Sequence, residues 1–188
     1  MNSFQKLIEF DPKQKVDPED WSLAVCGDVD YRLVAIFTRL YYLNYLQDYG
    51  DQCVLVANLT RRIIRLHGIE AHCQDAIMHF RHTSRDWRQV VGAPENITHG
   101  GVIDTHRIVV TPTHIIDFAH KDSIHRTFGA RAPRGFIVPR EYDVWHNTLM
   151  GEAKYVERDA HPMVKNITYQ QRDQEKDLVS RYFDTYQM

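Results

Sequence analysis

The run Asp51-Gln52-Cys53-Val54-Leu55-Val56-Ala57-Asn58-Leu59-Thr60-Arg61-Arg62-Ile63-Ile64-Arg65-Leu66-His67-Gly68, followed by Ile69-Glu70-Ala71-His72-Cys73-Gln74-Asp75-Ala76-Ile77-Met78-His79-Phe80, decides the fold class, because its apolar period changes at the glycine. Before Gly68, Leu55, Leu59, Ile63 and Leu66 recur at helical spacing and make one face. This predicts a helix from about Gln52 to His67, with Asp51 as N-cap and Gly68 as the stop. Arg61, Arg62 and Arg65 lie off that stripe and read as a solvated face. After Gly68 the partial alternation reads as a strand.

Upstream, Leu33, Val34, Ile36, Phe37, Leu40, Tyr41, Leu43 and Leu46 predict one long helix, which Gly50 ends. Tyr41, Tyr42, Tyr45 and Tyr49 share its spacing and read as core aromatics. Residues 1–20, broken by Pro12 and Pro18, form a polar lead-in. Downstream, residues 81–101 and 120–140 read as loops. Arg107-Ile108-Val109-Val110-Thr111 and His114-Ile115-Ile116-Asp117-Phe118 read as a hairpin turned at Thr111-Pro112-Thr113. Residues 141–150 and 172–187 have helical character. Helices followed by strands predict an α+β domain spanning residues 1–188, with residues 151–188 as a C-terminal extension of no assigned role.

The chain has 188 residues, 43% hydrophobic and 26% charged, enough for one buried core. A formal net charge of −2 gives no global basic field for a nucleic-acid backbone. No apolar run approaches the roughly 18 residues of a membrane span. The N-terminal residues show no apolar signal segment, so a cytoplasmic location is expected, with neither nucleic acid nor membrane as partner. Three cysteines make no disulfide framework.

Cys53 falls in the first turn of the predicted helix, where unpaired N–H groups and the helix dipole favour a thiolate and can bind an oxyanion. The charge of Asp51 opposes this unless its carboxylate is occupied as a cap. His106 opens the first hairpin strand and Asp117 lies on the second. A hairpin can bring them side by side, as general base and as the group that orients its ring. Each has a bland alternative: an inert core thiol for Cys53, a strand-edge histidine for His106, a strand-end carboxylate for Asp117. His99 is a rival base. Cys26 and Cys73 read as structural. His79, His82, His99 and Cys73 could be metal ligands, but their spacing is loose, and no metal or other cofactor is expected.

The stretch Tyr49-Gly50-Asp51-Gln52-Cys53-Val54-Leu55-Val56-Ala57, continuing through Gly68-Ile69-Glu70-Ala71, resembles the nucleophile helix of the transglutaminase-like superfamily. The glycine before the cysteine, Gln directly before it, Ala four residues after it and a G-I-x-A exit carry the likeness. A His opening a strand and an Asp on the next strand follow in the same order. The chain departs from the pattern at Asp51, Ile108 and Phe118-Ala119. The resemblance implies a cysteine-protease-like core, with the Cys53 helix packed on an antiparallel sheet, and Cys53, His106 and Asp117 as a catalytic triad. The implied activity is thiol-dependent acyl transfer on a peptide, protein or small amide substrate. A non-catalytic protein-binding module and a zinc-dependent hydrolase stand as alternatives.

Overall fold

The computed structural model describes residues 23–48, 52–82, 88–93, 106–119, 133–148, 151–159 and 168–184. The lead-in at residues 1–20, Tyr49, Gly50, Asp51, His99, and much of the two loops expected at 81–101 and 120–140 lie outside them.

Four helices and eight strands are described: β1 (Leu23–Val25), α1 (Tyr31–Tyr42), α2 (Tyr45–Asp48), α3 (Cys53–Leu66), β2 (His72–Arg81), β3 (Arg88–Val91), β4 (Arg107–Val110), β5 (His114–Asp117), β6 (Gly135–Pro139), β7 (His146–Thr148), β8 (Gly151–Arg158) and α4 (Tyr169–Asp184). The fold is mixed α+β. The strands form one sheet in the order β1-β6-β5-β4-β2-β8-β7, with β3 joined to β2. Only β1 and β6 pair in parallel; every other ladder is antiparallel.

The long strand β2 is the centre of this sheet. Along one edge its first half pairs with β4, from His72 opposite Val110 to Asp75 opposite Arg107, and its second half pairs with β3. Its other edge pairs with β8 from Asp75 to Arg81. The segment from Gly151 to Arg158, without a role in the sequence reading, is therefore a strand inside the sheet.

Alternate side chains divide between two cores, as the two-residue period of a strand requires. On one face Val109, Ile116 and Ile137 pack under α1, α3 and α4 through Ile36, Leu40, Leu59, Ile63 and Tyr182. On the other, Ala76, Met78, Phe80, Ile108, Ile115, Phe136 and Tyr155 pack together. Phe80 of β2 and Phe136 of β6 meet with ring centroids 5.7 Å apart. Three strand spacings separate those strands, about 14 Å if the sheet were flat. The sheet is therefore strongly curled, and the second core is its concave interior.

Several sequence expectations are corrected. The long helix before Gly50 breaks at Leu43-Asn44, where Asn44 takes φ of 60° and separates α1 from α2. Asp30 caps α1 by accepting from the Arg32 N–H at 2.9 Å. The N-cap of α3 is Gln52, whose side chain makes no capping bond. Residues 141–150 contain no helix among the described positions; His146–Thr148 form β7. Gly135–Pro139, expected as loop, form β6, and Arg88–Val91, also expected as loop, form β3. The hairpin expected at 107–118 is present, closed where the Thr111 N–H donates to the His114 carbonyl at 2.9 Å.

Candidate active site

His106 directly precedes β4, and Asp117 ends β5. The register Val109 opposite Ile116 and Val110 opposite Ile115 runs on to place Ile108 opposite Asp117. His106 is then the diagonal neighbour of Asp117 on the same sheet face, a separation that long side chains span. His106 Nε2 lies 2.6 Å from Asp117 Oδ2, and both side chains are almost fully buried. Asp117 Oδ1 also accepts from the Ala119 backbone N–H at 3.3 Å. A buried carboxylate is costly unless paired and hydrogen-bonded, and here it is both.

Cys53 is the first residue of α3, whose packing on β4 and β2 brings the helix mouth to the start of β4. Cys53 faces the His106 imidazole closely enough that its side chain helps to raise the ring's pKa. With Nε2 engaged by Asp117, Nδ1 is the ring nitrogen left for the sulfur. Cys53 is half-buried, whereas His106 is sealed. Cys53, which also packs against the core under α3, is thus the least buried of the three residues.

Burial pushes the His106 pKa down, but the Asp117 charge and hydrogen bond, with the contact to Cys53, more than reverse this and raise it from 6.5 to about 10. The raised pKa favours the protonated ring, which donates from both nitrogens.

Four residues around this group carry no sequence motif that would have marked them. Arg107, which follows His106, forks onto the Asp75 carboxylate with Nε 2.6 Å from Oδ1. That hydrogen bond raises the Arg107 pKa against the opposing effect of burial, and Cys53 lies within reach of its charge. Gly92 lies behind the imidazole: a Cβ there would meet Ala76 O at 2.6 Å and His106 Cβ at 2.7 Å. Its φ of +79° independently favours glycine. Arg158 fixes this glycine from outside, its Nη1 donating to the Gly92 carbonyl at 2.8 Å. Tyr155 is fully buried, and its hydroxyl has no hydrogen-bond partner of good geometry. Burial first, then the facing Asp117 carboxylate, raise its pKa well above the usual phenol value.

Among the described residues, Cys73, His114 and His146 have partners of their own elsewhere. Cys73 packs beneath α3, its Sγ 4.0 Å from Asn58 Oδ1, and burial pushes its thiol up to about 11. Among the described residues no three His, Cys, Asp or Glu side chains cluster to hold a metal. His114 bonds Thr113 Oγ1 and the Asp28 carbonyl, and His146 bonds the Glu141 carbonyl, which are structural roles. Of the tyrosines, Tyr41 and Tyr45 are core residues as expected. No helix among the described residues is long and apolar enough to cross a membrane. Comparison with known families, with curated proteins and with solved structures returned no match for this chain.

Proposed function

We propose that the protein is a cysteine-dependent acyl-transfer enzyme with a transglutaminase-like core, acting on a peptide or carboxamide bond. The observation that carries this reading is the convergence of half-buried Cys53, the sealed His106 imidazole and the Asp117 carboxylate, with His106 Nε2 2.6 Å from Asp117 Oδ2 and Cys53 near enough to help raise the ring's pKa.

An imidazolium donating to sulfur favours the thiolate, which is the nucleophile. The Cys53 sulfur attacks the carbonyl carbon and forms a C–S bond. His106 gives its proton to the departing nitrogen as the C–N bond breaks, leaving a thioester and a neutral ring. Water or an amine then attacks the thioester while His106 takes its proton, and the C–S bond breaks to restore the thiolate–imidazolium pair. Asp117 keeps Nε2 protonated and Nδ1 turned to sulfur throughout. The N–H groups of the first turn of α3, where Gln52 supplies no side-chain cap, are positioned to stabilise the oxyanion.

An acyl-donor assay tests this. With p-nitrophenyl acetate, the protein is expected to release a burst of about one equivalent of nitrophenolate, as covalent catalysis requires. Peptide mass spectrometry then finds the acetyl group on Cys53. The variants C53A and H106Q lose the burst while remaining folded by circular dichroism. A burst that survives in C53A, or acetylation confined to Cys26, overturns the reading.

A further inference from the structure

The arginines of α3, expected from sequence to face solvent, line a cleft. The C-terminal helix α4 packs along α3 through Leu178, Val179 and Tyr182, and its own Arg172 and Lys176 come to lie over Arg61, Arg62 and Arg65. Together with Glu175 they border an open cavity of about 590 Å³. Five cations therefore line it beside one carboxylate, with Lys176 also paired to Asp173 at 3.1 Å, in a chain whose net charge is −2. That carboxylate is already engaged, since Glu175 Oε1 lies 3.6 Å from Arg62 Nη1.

Like charges at helical spacing repel, and Arg61 and Arg65 on α3 stand opposite Arg172 and Lys176 on α4 with the same spacing. The Nε of Arg61 is also shut off from solvent with no hydrogen-bond partner. An arginine cannot relieve this by losing its proton, and its unmet donors are costly. Both problems have one remedy, an oxyanion seated among the guanidinium groups, which bind phosphate oxygens as planar forks. A lone carboxylate would leave most of the charge unneutralised; a chain of phosphoryl groups matches it.

We propose that the cleft between α3 and α4 binds the polyphosphate portion of a phosphorylated ligand. The site is independent of the acyl-transfer reading: along α3, Arg61 stands about 12 Å from Cys53 at 1.5 Å per residue.

The test is calorimetric titration of the full chain with inorganic tripolyphosphate at 50 and 200 mM NaCl. The expected result is saturable one-to-one binding that weakens with salt. R61Q is expected to weaken it by about tenfold or more, and R172Q, a change on the exposed surface of α4, by about threefold to tenfold. C53A binds like the wild type, and tripolyphosphate raises the melting temperature of the wild type more than that of R172Q. A parallel titration with adenosine triphosphate separates a nucleotide ligand from bare polyphosphate: tighter binding than tripolyphosphate assigns the former, equal or weaker binding the latter. Absence of saturable binding at 50 mM NaCl, unchanged affinity in both R61Q and R172Q, or equally tight binding of an oligoglutamate of matched charge overturns the proposal.

Discussion

Replacing Gly92 by alanine tests the seating of the His106 ring most directly. The added Cβ would sit 2.6 Å from Ala76 O and 2.7 Å from His106 Cβ, while ordinary contact begins near 3.4 Å. A retreat of roughly 0.8 Å is therefore needed, the difference between the 2.6 Å approach and the 3.4 Å contact. Neither side yields easily. Ala76 is fully buried in β2 and its N–H donates to the His106 carbonyl at 3.0 Å, while the Gly92 carbonyl is held by Arg158 at 2.8 Å. Left-handed backbone costs an alanine about 1 kcal/mol, and overpacking a closed site adds about 1–3 kcal/mol. The expected destabilisation is about 2–4 kcal/mol, or roughly 5–15 °C in melting temperature for a chain of this size. Urea unfolding measures it. Because the displaced group is the imidazole itself, iodoacetamide labelling of Cys53 at pH 7 is expected to slow by about tenfold in the fraction that remains folded. A variant within about 0.5 kcal/mol of wild type, labelling at the wild-type rate, would falsify the view that Gly92 exists to make room for His106.

The pH dependence of stability offers a second check. The folded His106 pKa is raised from 6.5 to about 10, so its contribution is complete below pH 6.5 and is lost as pH rises through 10. The advantage of wild type over H106Q in urea is expected to shrink across that window, by at most about 1.4 kcal/mol per pH unit; a constant difference refutes the pairing. Thiol selectivity is a third. Because burial raises the Cys73 thiol to about 11, iodoacetamide at pH 7 is expected to modify Cys53 at least about tenfold faster than Cys73, as peptide mapping would show, and a reversed order removes the activated sulfur. For Y155F the expectation is a stability within about 1 kcal/mol of wild type, since its buried hydroxyl closes no good hydrogen bond. A loss above about 2 kcal/mol in urea would mean that Asp117 does rely on that hydroxyl.

What could be read from the chain alone follows the range of the interactions involved. The helix at Cys53 and the hairpin carrying His106 and Asp117 are local: periodicity, a terminating glycine and a Thr-Pro-Thr turn specify them. The strands that escaped notice lack such signals. In β8 the buried face is built from Gly151, Ala153 and Tyr155, and two small residues in three give little hydrophobic contrast. In β7 only three residues pair. In β6 a short apolar run ends in Pro139 and follows an arginine-containing stretch, so composition pointed to loop. The break at Asn44 was hidden by apolar residues on both sides that kept the helical period. Gly92 was indistinguishable from any loop glycine until its neighbours across the sheet were known. The arginines of α3 keep the solvent exposure expected of them, but that they also border a cleft depends on α4, more than a hundred residues away along the chain.

The position of β2 ties the candidate site to the whole molecule. One continuous strand supports β4, which leads in to the imidazole, β3, which ends at the glycine behind it, and β8, which bears the tyrosine beneath the carboxylate. Amide protons of residues 78–81, which pair on both edges, should consequently be among the slowest in the molecule to exchange with deuterated solvent. Any heat or denaturant step that frees those amides should extinguish the reactivity of the sulfur at the same midpoint.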